Sequence, residues 1–216
     1  MIKSKLIICL LLLNLFSFSA CKQKTSEVLP IYNPSDLNAE LVDKSLQKAN
    51  RNHIVSDFEL INQNGETITQ EDYKDKIYIV DFFFTKCGTI CPIMTNNMAK
   101  IQNEFSENDA IKLLSISVTP TIDSVSVLKK YATEKGVFDS KWNITTGNKK
   151  HIYDLARKSY FAVVEQGDGG LQDFIHTPNF ILIDTKKQIR GIYDGTKDEE
   201  ITRIIKDIEQ LNKTGN

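Results

Sequence analysis

An apolar run from Ile77 to Phe84 leads into Thr85-Lys86-Cys87-Gly88-Thr89-Ile90-Cys91-Pro92, and beyond it apolar residues recur at Met94, Met98, Ile101 and Phe105. A short apolar run suits a buried strand, whereas steps of four, three and four suit one face of a helix. A second apolar run, Ile111 to Val118, reads as another buried strand. Two thiols therefore sit at a strand-to-helix junction inside a β-α-β unit. Such a pair can hold a soft metal, exchange a disulfide, or do both.

The rest of the pattern completes an α/β domain. Asp123 is expected to cap a helix that turns Val127, Leu128 and Tyr131 inward, Trp142 and Ile144 suggest a short strand, and Ile152, Leu155 and Ala156 mark another helix. Phe161 to Val164 reads as a strand, followed by a loop at Gly167-Asp168-Gly169-Gly170. Phe180 to Ile183 and Ile189 to Tyr193 flank the turn Asp184-Thr185-Lys186-Lys187 as a hairpin, and Ile201, Ile204, Ile205, Ile208 and Leu211 give a final helix. Ahead of the core, Phe58, Leu60 and Ile68 surround the turn Asn62-Gln63-Asn64-Gly65, a second hairpin signal. The expectation is a mixed sheet flanked by helices, thioredoxin-like, with an extra N-terminal β-hairpin. Pro178 stands where that fold tends to keep a cis proline beside its thiols, and the sequence leaves its isomer open.

The 216 residues accommodate one domain and an appendage. Lys3 and Lys5, the apolar stretch Leu6 to Leu13 and the small residues Ser19-Ala20 before Cys21 read as a signal peptide, residues 1–20, of the bacterial lipoprotein type. Cys21 would then carry lipid and hold the domain on the extracytoplasmic side of a bacterial membrane. Residues 21–50, with Pro30, Pro34 and a patchy amphipathic stretch from Leu37 to Leu46, read as a polar tether, and residues 51–213 as the domain. The formal charge is -1, and loss of Lys3 and Lys5 leaves 25 basic against 28 acidic residues, about -3. Without a long basic run, nucleic acid is not an expected partner.

Of four cysteines, Cys9 leaves with the signal and Cys21 takes lipid, so Cys87 and Cys91 remain as free sulfur. Positions i and i+4 share a helix face, and a helix N-terminus favours thiolate over thiol, with Lys86 as a further positive neighbour. Redox pairs usually enclose two residues, whereas three lie between these, which suits two ligands closing on an ion. A structural disulfide here would close too small a loop to restrict the unfolded chain much. Among the histidines, His53 and His151 read as solvated. His176, just before Thr177-Pro178, falls on the loop that faces the thiol helix in a thioredoxin-like fold and is the candidate third ligand. Two thiolates and an imidazole suit copper, Cu(I) or Cu(II), better than zinc, which would want a fourth ligand, with the nearby Asp173 only a candidate for it.

The run Phe84-Thr85-Lys86-Cys87-Gly88-Thr89-Ile90-Cys91-Pro92, together with His176-Thr177 before Phe180-Ile181-Leu182-Ile183-Asp184, resembles the Sco/SenC family over about Ser56 to Leu211. The resemblance implies a membrane-anchored, thioredoxin-like, copper-binding protein that helps assemble the dinuclear copper centre of cytochrome c oxidase. Its copper ligands would be Cys87, Cys91 and His176. The partners implied are the copper-site subunit of the oxidase, a copper donor and a thiol reductant. Two departures stand out. Thr119-Pro120 replaces a frequent Asp-Pro pair, although Asp123 matches a later acidic position, and Ile175 replaces the acid that often precedes the histidine. Two functions follow as expectations: a copper metallochaperone, or a thiol-disulfide reductase in which Cys87 attacks and Cys91 resolves. The cysteine surroundings show no clear peroxide-activating pattern.

Overall fold

A computed structural model describes residues 28–33, 53–163, 170 and 174–214. The signal peptide, Cys21, most of the tether, Asp173 and most of the Gly-rich loop lie outside the described residues. The elements run β1 (Glu59–Asn62), β2 (Thr67–Thr69), β3 (Ile77–Phe83), α1 (Ile90–Glu104), β4 (Ile111–Ser117), α2 (Val125–Lys135), β5 (Trp142–Thr146), α3 (Lys149–Asp154), β6 (Asn179–Ile183), β7 (Ile189–Asp194) and α4 (Asp198–Thr214). They build one seven-stranded sheet in the order β2-β1-β5-β4-β3-β6-β7. β3 pairs in parallel with β4, and β4 with β5, while β6, β7 and the N-terminal hairpin add antiparallel pairs on the two sides. This is the expected mixed sheet flanked by helices.

Side-chain alternation along β3 explains the layering. Tyr78, Val80 and Phe82 join a core with Leu114, Ile116, Ile152 and Tyr153 on one face. Ile77, Ile79 and Phe83 join Met94, Met98, Leu128, Ile204 and Ile208 on the other. Both cores are needed because every residue of β3 is buried, as the continuous apolar run implies. α1, α2 and α4 cover one face, and α3 with its following turn covers the other. Each fully buried Ile or Leu of α4 contributes about 1.5–3 kcal/mol of burial free energy.

Three local expectations are corrected. Phe161 to Val163 form no strand. The preceding residues, Leu155–Ser159, make a π turn, Phe161 takes φ 51°, and the carbonyl of Ala162 accepts from the Thr177 hydroxyl (2.6 Å) and the Asn179 amide (2.9 Å) instead of a strand neighbour. Asp123 is not a helix cap: Ser124 occupies that position without a side-chain bond, and the Asp123 carboxylate is spent elsewhere. His53 and His151 are not free in solvent. His53 Nε2 bonds the Ser159 carbonyl at 2.8 Å and its ring lies 4.6 Å from Phe161, while His151 Nε2 accepts the Glu59 amide at 3.4 Å. Burial lowers the pKa of His53, against the opposing hydrogen bond to Ser159. The Thr177–Pro178 peptide is trans.

Residues 28–33 lie against the β6–β7 hairpin. Arg190, 4% exposed, bonds Asp184 (2.7 Å), the Leu29 carbonyl (2.7 Å) and the Pro30 carbonyl (3.1 Å), and the Tyr32 amide donates to Ile189 (2.9 Å). Asp184 also accepts the amides of Lys186 and Gln188, which closes the hairpin turn around Lys187 at φ 61°. Removing one member of a buried ion pair strands the other in a dry site. Arg190→Leu is therefore expected to lower stability by about 3 kcal/mol or more, read as a fall in the urea midpoint with loss of hydrogen-exchange protection at Tyr32.

Candidate metal centre

Cys87 lies in the turn between β3 and α1, and Cys91 is the second residue of α1. The turn is closed by the Cys87 amide on the Phe84 carbonyl, 3.2 Å. The helix starts abruptly. Thr89 precedes it in an unusual backbone conformation (φ -114°, ψ -89°) and caps nothing with its side chain, and Pro92 sits in the first turn, where a missing N–H does no harm. The sulfur of Cys87 fills the vacant acceptor place. It takes the Cys91 amide at 3.4 Å and lies 3.6 Å from the Thr89 hydroxyl.

This arrangement separates the two thiols chemically. For Cys87, burial opposes ionisation, but hydrogen bonds from Cys91 and Thr89 outweigh it and bring the pKa down to about 6. For Cys91, burial acts first and its thiol hydrogen bond to Cys87 adds to it, pushing the pKa up to about 12. The two sulfurs are thus unequal, Cys87 favoured as thiolate and Cys91 as thiol. Both residues are buried by the surrounding side chains, Cys87 at 8% exposure and Cys91 at 3%. Lys86, the expected electrostatic helper, is exposed and has no ion pair among the described residues.

His176 follows a different course. It is exposed, and its ring stands 6.5 Å from that of Phe84, which also meets Phe174 edge-on at 5.1 Å. Phe84 packs against the core cluster that contains both sulfurs, so one ring touches the cysteine side and the histidine side. Among the described residues no three His, Cys, Asp or Glu side chains gather into a metal-binding group. The structure thus brings Cys87 and Cys91 together, does not gather His176 with them, and gives His176 a ring contact with Phe84. The donor set fits copper at its sulfur half, since soft thiolates select Cu(I).

Two carboxylates lie near the pair, of which the sequence pattern singled out Asp123 but not Asp81. Asp81, on β3, faces the same layer as Ile79 and Phe83. It is 2% exposed, accepts from the Ser115 hydroxyl, which in turn accepts the Trp142 indole N–H at 2.9 Å, and burial raises its pKa to about 7. The lone acid in an otherwise apolar strand was its available signal. Asp123 accepts the Thr85 amide and hydroxyl, two residues before Cys87. Among the described residues no helix is long and apolar enough to cross a membrane.

The sequence profile of SCO1/SenC matches residues 46–213. The chain belongs to the SCO1/SenC family. A SCO1/SenC family lipoprotein from Bacillus anthracis is 30% identical, with a TM-score of 0.66 over 76% of this chain and 98% of that one. BsSco, a member of the Sco family of cytochrome c oxidase assembly proteins in which a disulfide switch has been identified, is 32% identical, with a TM-score of 0.63 over 76% of this chain and 95% of its own. ScoI of Bradyrhizobium japonicum, solved with copper bound, is 20% identical, with a TM-score of 0.57 over 73% and 98%, a likeness of fold. Homologous Sco structures thus include copper-bound ones, and the thioredoxin-like architecture of this Sco domain is that of its family.

The divided ionisation gives a direct test. Iodoacetamide at pH 7.5 is expected to modify Cys87 and leave Cys91 free in the reduced chain, with the rate of Cys87 modification rising through about pH 6, followed by peptide mass mapping. Equal modification of both cysteines would contradict the hydrogen-bond arrangement.

Proposed function

We propose that this Sco protein is a copper metallochaperone held at a bacterial membrane through lipidated Cys21, with its domain on the extracytoplasmic side. Copper is its cargo, carried on Cys87, Cys91 and His176 and passed to the copper-site subunit of cytochrome c oxidase. The observation that carries this reading is the thiolate of Cys87 beside the thiol of Cys91 at one helix start. Family membership and the copper-bound relatives support it. The Bacillus anthracis relative, a lipoprotein, supports the anchor.

In this reading Cys87, already ionised, makes the first bond to the ion. Cys91 loses its proton to solvent as it joins, because a bound metal replaces the proton as its charge partner. His176 would complete the set from its loop, and imidazole extends the site's range from Cu(I) to Cu(II). Release proceeds by ligand exchange, with acceptor thiolates replacing Cys87 and Cys91 in turn and the ion keeping its oxidation state.

The same asymmetry supports a second role, reduction of extracytoplasmic disulfides, including that of the oxidase site. The Cys87 thiolate attacks one sulfur of a partner disulfide and expels the other as thiolate, forming a mixed disulfide. Cys91, once deprotonated, attacks the Cys87 sulfur and releases the second partner thiolate. Two electrons pass to the partner, and Cys87 and Cys91 end as a disulfide that an external thiol reductant must restore. The disulfide switch of BsSco supports this chemistry.

Copper titration of the reduced full-length chain in detergent, beside His176→Ala, tests the first role. Expected are tight Cu(I) binding in both proteins and a Cu(II) affinity at least about tenfold weaker in the variant, with an altered absorption spectrum. Unchanged Cu(II) affinity and spectrum in His176→Ala remove that residue from the site and favour the reductase role.

A further inference from the structure

Asp123 is 0% exposed, yet it makes no ion pair among the described residues. Its two oxygens take four hydrogen bonds. Oδ1 accepts the Thr85 hydroxyl at 2.5 Å. Oδ2 accepts the Thr85 amide at 3.2 Å, the Ser117 hydroxyl at 2.5 Å and the Thr119 hydroxyl at 3.0 Å. A buried carboxylate is costly to desolvate, and apolar packing would hold two loops together as firmly. What a carboxylate offers instead is direction, since each oxygen accepts along defined lone pairs. Both donors of Thr85 converge on it, so the backbone and the side chain of that residue are fixed at once.

We propose that Asp123 is the positioning residue of the dithiol turn, holding Thr85 so that the Cys87 sulfur stays in line with the Cys91 amide. The chain of contacts is short. Asp123 sits between the end of β4 and the start of α2 and grips Thr85. The Phe84–Cys87 turn follows immediately, closed by the Cys87 amide on the Phe84 carbonyl. The sulfur then receives the Cys91 amide at 3.4 Å. If Thr85 swings, the sulfur leaves the axis of that N–H, and the acceptor place at the helix start empties. The inference deepens the proposed function, because it rests on Cys87 being the reactive sulfur. It needs neither copper nor the oxidase, and its test runs on metal-free protein.

Geometry and charge pull in opposite directions here, which makes the test decisive. A carboxylate that acted only through its negative charge would disfavour the Cys87 thiolate, so neutralising it would speed alkylation. A carboxylate that positions the turn has the reverse effect when lost. The other titratable groups around the dithiol, Lys86, Cys91, Asp81 of β3 and Tyr131 of α2, are retained in the variants. The reduced, metal-free, full-length chain in detergent is alkylated with iodoacetamide at pH 6.5, with urea midpoints measured alongside. Thr85→Val, which changes no charge, and Asp123→Asn are both expected to slow Cys87 modification by about fivefold or more, while Thr85→Ser, which keeps the hydroxyl, stays near wild type. An unchanged rate in Thr85→Val, a faster rate in Asp123→Asn, or a Thr85→Ser as slow as Thr85→Val overturns the proposal. Should Asp123→Asn not fold, the two Thr85 variants decide it alone.

Discussion

The hydrogen bond from the Cys91 amide to the Cys87 sulfur joins fold to chemistry in this molecule. A helix start has unpaired N–H groups that require acceptors. Here the conventional acceptor is missing, because Thr89 does not cap with its side chain. A cysteine sulfur takes the duty, and in doing so becomes an anion near pH 6. The backbone requirement of α1 and the reactivity of the site are thus one contact viewed from two sides. The buried strand β3 delivers the turn, and the apolar face of α1, with Met94, Met98 and Ile101 wholly buried, locks the helix behind it.

Much of the architecture was legible in the sequence because it depends on local periodicity. The apolar run of β3, the steps along α1 and the two hairpins each carry their own pattern, and all were found where expected. The failures share a cause. Phe161 to Val163 have strand-like composition, but a π turn and a left-handed Phe161 set their path, and neither is written in residue type. Asp123 looks like a helix cap from its neighbours, and only tertiary packing brings Thr85, thirty-eight positions away, within reach. His53 and His151 looked solvated for the same reason, their partners being 106 and 92 residues distant.

The site shows the same division. The two cysteines were legible as a pair because about four residues make one helical turn, whereas the inequality between them depends on hydrogen bonds that spacing does not encode. His176 was expected on the loop facing the thiol helix, and the contact of its ring with Phe84 depends on side-chain packing that no spacing encodes. The Phe84 ring is shared by these contacts, meeting Phe174 edge-on at 5.1 Å and lying 6.5 Å from the His176 ring.

The grip of Arg190 on Leu29 and Pro30 has a mechanical meaning. Ile189 lies opposite Ile183, which lies opposite Tyr78, near the beginning of β3, whereas the sulfurs follow its end. At about 3.3 Å per residue, some 17 Å of strand separates the two ends. β7 is also an outer strand of the sheet, and the leading segment covers part of its edge. Residues 29–32 are therefore held by an ion-paired arginine and an edge strand at one pole of the domain. Among the described residues, the contacts of this segment lie at the opposite end of β3 from the Phe84–Cys91 turn.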